Sequence, residues 1–212
     1  IKAKDPRIVY IPYLQYAEAE SSTRIVNSKG LDISKGNKYC VLVTNVVASE
    51  GDDTQSGFKV EIKNRYKDLD IKSVIDKSVE EALSMLNAKS MDSCVCPVII
   101  ENGAMKDLFA SFSGIFSGAA ALRRITPLLG KENTQIMSEK ISIIDAPLKE
   151  DAIMRQAFDD EGVACYDKAV VEKGVFKGLL HNLKTAKAFN TVSTGNAFGK
   201  SASGCNLHIT SG

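Results

Sequence analysis

From Arg24 to Tyr66 the chain reads as β-structure, with apolar and polar positions alternating at a two-residue period in its last run. Arg24 to Asn27 is a short β-prone run, and Asn27-Ser28-Lys29-Gly30 has the residues of a turn. Tyr39 to Val47 (YCVLVTNVV) is rich in β-branched side chains and predicts a buried central strand. Glu50-Gly51-Asp52-Asp53 then reverses the chain into a run from Gln55 to Tyr66. There Phe58, Val60 and Ile62 alternate with Lys59, Glu61 and Lys63, so the lysine and glutamate face is expected to be the wet one. These runs together predict an antiparallel β meander.

The period changes at Ile71. Val74, Ile75, Val79, Ala82, Leu83 and Leu86 share one side of a helix, with Lys72, Asp76, Lys77 and Glu80 opposite. The polar run Asn87 to Ser93 reads as a linker, which places a domain boundary near Asp92. Pro97-Val98-Ile99-Ile100 predicts a short strand leading into a second helix from about Ala104 to Arg124. Cys165 to Leu180 reads as two strands joined by the hairpin turn Glu172-Lys173-Gly174, and Ser193 to Gly204 reads as a loop. The expected fold is α+β, with an antiparallel meander and a helix before the boundary and a second helix and a hairpin after it.

The balance of 27 Lys+Arg against 26 Asp+Glu gives a net charge of +1, which argues against a dedicated nucleic-acid binder. At 44% hydrophobic and 25% charged residues, the 212-residue chain can bury a core and is not a disordered segment. Its five cysteines, Cys40, Cys94, Cys96, Cys165 and Cys205, suit a reducing cytosol, and the pair Cys94 and Cys96 reads as buried, inert thiols. Cys94-x-Cys96 as a metal half-site would need two further soft ligands, and no second such pair follows. No signal peptide or membrane-spanning run is expected; Phe109 to Leu122 is uncharged but short. Gly114-x-x-x-Gly118 within it suggests close packing of one helix on a neighbour. The first residue is Ile1 and the last two are Ser211-Gly212, so both ends read as cut from a longer protein.

Candidate chemistry is sparse. The two histidines, His181 and His208, are too far apart for the pair of imidazoles one turn apart that a zinc peptidase helix needs. Asp159-Asp160-Glu161-Gly162 could bind a cation, hold a substrate amine or supply a general acid. The plainer alternative is a solvated acidic turn with Gly162 at positive φ. His181-Asn182 follows a predicted strand, where a hydrogen-bonded structural histidine is the commoner outcome. Ser193-Thr194-Gly195-Asn196 could present backbone N–H groups to an anion or a peptide.

Three of these stretches also carry a family resemblance. Phe158-Asp159-Asp160-Glu161-Gly162-Val163, the run Val175 to Ala186 (VFKGLLHNLKTA) and Ser193-Thr194-Gly195-Asn196-Ala197 resemble the TldD/PmbA family. Asp5-Pro6-Arg7-Ile8, Asp52 to Gly57 and Asp92 to Ile100 resemble it in the same order, so the likeness covers nearly the whole chain. The family comprises zinc peptidases once called modulators of DNA gyrase, linked to trimming of peptide antibiotics and degradation of an antitoxin. Its TldD-type members carry His-Glu-x-x-x-His on a helix, completed by a later cysteine. PmbA-type (TldE) members have a Ser/Gly-rich helix there instead. In this chain that helix is Leu108 to Gly118, with Ala110 and Ile115 at the histidine positions and Ser111 at the glutamate position.

The resemblance therefore implies the PmbA branch, with no catalytic residue and no metal ligand in this chain, and zinc in a TldD-like partner. It also implies the end of an N-terminal region and a middle α+β domain over 1–92, and the start of a truncated, β-rich C-terminal domain over 93–212. It implies a cytoplasmic subunit, paired with a TldD-like peptidase or with itself, that helps admit unfolded peptide without binding nucleic acid or membrane. Asp160, Glu161, His181, Asn182 and Asn196 are the candidates for lining the substrate cleft. Two other readings stay open. One is a stand-alone peptidase using His181, His208, Cys205 or the Asp159-Asp160-Glu161 cluster. The other is a non-enzymatic regulatory protein of a toxin–antitoxin or gyrase system.

Overall fold

A computed structural model describes residues 1–199 and 201–210; Lys200 and the terminal Ser211 and Gly212 lie outside the described residues. The fold is α+β. The chain divides into two units: Ile1–Ser22 with Gly36–Cys96, and Thr23–Lys35 with the chain from Pro97 onward.

The first unit is built on a sheet of order β1-β2-β3, formed from β1 (Ile8–Val26), β2 (Asp32–Glu50) and β3 (Asp53–Lys63). Only the end of β1, from Arg24, was legible in the sequence. Its first residues mix Tyr, Pro, Gln, Ala and Glu with no clean alternation. β2 and β3 pair antiparallel around the turn at Gly51, with Val46 opposite Gly57 and Leu42 opposite Glu61.

Helix α1 (Ile71–Ser84) packs against β3. Asp70 caps it, its side chain accepting the Ser73 N–H at 2.9 Å. Val74, Ser78, Val79 and Ala82 are its buried residues, the spacing of one helix face. The contact is backbone on backbone: a Cβ at Gly57 would lie 2.0 Å from the Ser78 carbonyl oxygen and 2.7 Å from the Ala82 nitrogen. Glu81 reaches past this contact to accept the Phe58 N–H at 2.7 Å and to pair with Lys59 Nζ at 2.8 Å. Ile8, Val46, Ala48, Val79 and Ala82 form the core, with Ile1, Leu83 and Leu86 packed against it.

This contact corrects the expected wet face of β3. The helix lies on the side of Gly57, where Lys59, Glu61 and Lys63 are half-buried. Phe58, Val60 and Ile62 are 53%, 45% and 39% exposed, on the face opposite the helix. They continue a row of Val41 and Val43 from β2. Backbone approach at the one glycine, rather than the hydrophobicity of the alternate residues, selects the side.

In the second unit, strands β4 (Ile143–Asp145), β5 (Lys168–Glu172), β6 (Val175–Phe176) and β9 (Leu207–Ile209) form an antiparallel sheet of order β6-β5-β4-β9. β5 and β6 are the expected hairpin, closed by Lys173 and Gly174 at positive φ. The core gathers Phe116, Ala121, Leu128, Ile143, Val170, Val171, Phe176, Leu179 and Leu180. The hairpin tip also belongs to this unit. Lys35 Nζ donates to the Phe158 carbonyl at 2.6 Å, and Leu31 lies beside Gly162.

Several expectations are corrected here. The single helix from Ala104 to Arg124 is instead α2 (Asn102–Phe112), a 3-10 turn (Ser113–Phe116) and the short α3 (Gly118–Leu122). Ser117 is extended because Gly118 N–H donates to the Leu180 carbonyl and Leu180 N–H to the Phe116 carbonyl, both at 2.8 Å. These tertiary bonds outweigh helix propensity, and the Ser117 hydroxyl caps α3. Gly114, of the Gly-x-x-x-Gly pair, has nothing near its Cβ position.

Val98 to Ile100 form no strand. No described segment pairs with them, and Ile99 is 98% exposed. The Ser193 to Gly204 stretch, expected as a loop, holds the two-stranded ribbon of β7 (Ala197–Phe198) and β8 (Ser201–Ala202). Cys94 and Cys96 are exposed, with their sulfurs 3.8 Å apart, whereas Cys40 and Cys165 are buried. Among the described residues no helix is long and apolar enough to cross a membrane.

Substituting Gly57→Ala is expected to destabilise the protein by about 2–3 kcal/mol, because the methyl group meets backbone that cannot rotate away. Gly36→Ala, whose Cβ would sit 3.5 Å from the Ser21 carbonyl oxygen, is the matched control and is expected to cost nothing measurable. Urea unfolding of the two variants checks this; equal midpoints would mean the backbone contact is not what seats α1.

Candidate functional site

Asp159, Asp160 and Glu161 do not pool their charge on one ligand. Gly162 has φ +79°, so the chain does turn as a glycine allows. Asp159 is fully buried. Its Oδ1 accepts the N–H groups of Glu161 at 3.0 Å and Val163 at 2.9 Å, and its Oδ2 accepts that of Ala197 at 2.9 Å. The exposed Asp160 accepts the Gly199 N–H at 2.8 Å, and the exposed Glu161 accepts the Leu183 N–H at 2.7 Å. Three consecutive carboxylates thus fasten their own turn, the start of β7, the residue after β7 and the first residue of helix α4 (Leu183–Ala188).

Asn182 caps α4 in a capping box: its Oδ1 accepts the Thr185 N–H at 2.9 Å, and the Thr185 hydroxyl accepts the Asn182 N–H at 3.1 Å. His181, immediately before, is buried. Its Nδ1 is 3.1 Å from the Thr185 hydroxyl and its ring centroid 5.6 Å from that of Phe189. A Cβ at position 118 would lie 2.5 Å from His181 Nδ1, so only a glycine there admits the ring. Burial lowers the His181 pKa below its ordinary value, opposed in part by the Glu132 carboxylate, which favours a neutral ring.

The backbone of His181 leads to Asn196. Its N–H donates to the Thr194 hydroxyl at 2.7 Å, and that hydroxyl donates to Asn196 Oδ1 at 2.7 Å. Asn196 is fully buried, with Nδ2 donating to Asp145 Oδ2 at 2.7 Å and to the Ser203 carbonyl at 3.0 Å. Asp145 is buried too. Its Oδ1 accepts the N–H groups of Cys205 at 2.9 Å and Asn206 at 3.0 Å, and Lys168 Nζ lies 3.3 Å from its Oδ2.

Four of the five cleft candidates, Glu161, His181, Asn182 and Asn196, therefore converge on the start of α4 and the turn at Thr194. Asp160 reaches the same region through Gly199. Asp145, the hub beneath them, was not singled out from sequence. Its signal was a lone carboxylate closing the apolar run Ile143-Ile144.

The cysteines of this region are poor nucleophiles. Burial, with the Asp159 carboxylate adding to it, pushes the Cys165 thiol up to about 11, and its Sγ donates to the Gly195 carbonyl at 3.1 Å. Burial and Asp145 push Cys205 up to about 12. His208 stands on β9 opposite Ile144.

The positions aligned with the metal motif do not fit zinc. Ala110 and Ser111 are exposed on α2, the Ser111 hydroxyl donates to the Asp107 carbonyl at 2.9 Å, and Ile115 packs against the core. Alkyl groups offer no lone pair to a metal. Among the described residues no three His, Cys, Asp or Glu side chains come together as a metal site.

Asn196→Ala removes a donor from a carboxylate that water does not reach, and is expected to destabilise the protein by about 2–4 kcal/mol. Asp160→Ala, at an exposed carboxylate, is expected to cost under about 1 kcal/mol. Thermal or urea unfolding distinguishes them; similar small losses would show that the Asp145–Asn196 bond does not hold the fold.

The chain is similar to known proteins in sequence and in fold. A sequence profile of the PmbA/TldA metallopeptidase C-terminal domain matches residues 93–212, and one of the central domain of these proteins matches residues 1–86. A metalloprotease PmbA homolog from Buchnera aphidicola is 29% identical over 155 residues, 73% of this chain and 35% of its own. A metalloprotease from Methanothermobacter thermautotrophicus is 30% identical over 196 residues, 87% of this chain and 41% of its own.

Among solved structures, one described as a modulator of DNA gyrase from Thermotoga maritima superposes with a TM-score of 0.92 at 32% identity. The match covers 99% of this chain and 49% of that one. TldE from Thermococcus kodakarensis gives 0.78 at 25% identity, over 93% and 46%. The chain spans less than half the length of each of these relatives. The chain belongs to the PmbA/TldD metallopeptidase family.

Proposed function

We propose that this chain is the central and C-terminal part of a PmbA/TldE-type subunit that lacks the zinc motif and works with a TldD-like zinc peptidase in the cytoplasm. The observation that carries the reading is the state of α2. Where TldD-type members carry His-Glu-x-x-x-His, this helix presents Ala110 and Ser111, followed by Ile115 on the 3-10 turn. The neighbouring stretches that resemble the family support a loss confined to the metal positions. The likeness to a protein named TldE supports the same branch.

In this reading the subunit completes the cleft that admits unfolded peptide, and the partner holds the metal and performs hydrolysis. Asp160, Glu161, His181, Asn182 and Asn196 act by shaping the wall of that cleft. Their side chains are engaged with backbone amides and carbonyls, hydroxyls and the Asp145 carboxylate rather than poised over a reacting atom.

The test is reconstitution. Full-length protein purified alone is expected to leave an unfolded peptide intact, and addition of a TldD-like protein from the same source is expected to produce cleavage. Replacing the partner's motif glutamate should abolish that activity, whereas Ser111→Ala in this subunit should leave it unchanged. Turnover by the isolated protein at the rate of the pair would contradict the reading and favour a stand-alone peptidase.

A further inference from the structure

A pocket of about 370 Å³ opens beside α3 and the start of α4, a volume at the small end of ligand sites. Ala119, Leu122 and Arg123 line it from one side, Asn182, Lys184 and Thr185 (its hydroxyl engaged with Asn182) from the other, and Ser201 of β8 completes it. Among the described residues, no carboxylate lines it.

The lining groups are donors set beside apolar carbon. Arg123 Nε donates to the Ala119 carbonyl at 3.3 Å, which steadies the guanidinium. Among the described residues neither Arg123 nor Lys184 is paired with a carboxylate. Asn182 commits its Oδ1 to the Thr185 N–H, so the Nδ2 group remains as a donor. The nearby acids are engaged elsewhere, Glu161 on the Leu183 N–H and Asp160 on the Gly199 N–H. Two cations, an amide and a hydroxyl around an apolar lining from Ala119 and Leu122 match a carboxylate attached to an apolar residue.

We propose that this pocket binds the C-terminal carboxylate of a peptide, held by Arg123 and Lys184 with its last side chain against Leu122. A peptide carboxylate can come from the chain terminus or from an acidic side chain. The terminus is favoured because the pocket joins the charge to an apolar lining within the space of one or two residues. The proposal rests on the peptide-handling reading above, but it concerns binding by this subunit alone. Its failure would leave the need for a partner in cleavage untouched.

The experiment is fluorescence anisotropy on full-length protein without partner. The probes are a labelled hexapeptide ending in leucine with a free carboxylate, its C-terminal amide, and an amidated version with one internal glutamate. The free acid is expected to bind about tenfold more tightly than the amide, with the difference shrinking as salt is raised. Arg123→Ala and Lys184→Ala are each expected to remove most of that preference, and Arg123→Lys to keep part of it. Both side chains are exposed, so the variants should fold, and the acid–amide comparison on the unaltered protein stands without them. Equal binding of acid and amide, or binding of neither, would overturn the proposal. Equal binding of the glutamate-bearing amide and the free acid would overturn the assignment to the chain terminus.

Discussion

Two carboxylates shut away from water, Asp145 and Asp159, govern how the C-terminal part of this chain closes. A buried charge is tolerated only when donors surround it, and here most of the donors are backbone N–H groups. Asp145 draws in Cys205, Asn206, Lys168 and Asn196; Asp159 draws in Glu161, Val163 and Ala197. Between them they bring a turn before β5, the ribbon of β7 and β8 and the approach to β9 together. Apolar burial around Phe116 and Phe176 supplies the bulk of the core, but it does not specify where polar loops run. The carboxylates do.

The features with a local cause were legible in the sequence. The period of α1, the Lys173-Gly174 turn and the strand around Val43 each rest on neighbouring residues, and each is present. The features that were not legible depend on distant groups. The helix expected from Ala104 to Arg124 breaks at Ser117 because Leu180, far along the chain, takes and gives the hydrogen bonds. The sheet face chosen by α1 depends on Gly57 meeting Ser78 and Ala82, which outweighs the apolar alternation of β3.

The candidate site was legible as a set of residue types, not as an arrangement. Asp160, Glu161, His181, Asn182 and Asn196 stood out in sequence as groups capable of chemistry. Their observed partners are amides and hydroxyls, with His181 fitted against Gly118 and Asn196 against Asp145. Asp145 escaped notice because one carboxylate in an apolar strand carries no motif. The informative absence lay elsewhere, in the ordinary side chains of α2, and it had meaning only against the motif of relatives that hold a metal. Together these features describe a member of the PmbA/TldD metallopeptidase family.

The most direct test of that account is the zinc content of the full-length protein, purified without a partner and without chelator and measured by elemental analysis. The account predicts no stoichiometric zinc, with metal appearing only when a TldD-like subunit is bound. Close to one zinc per chain in the isolated protein would contradict it, because the ligands would then have to come from this subunit itself.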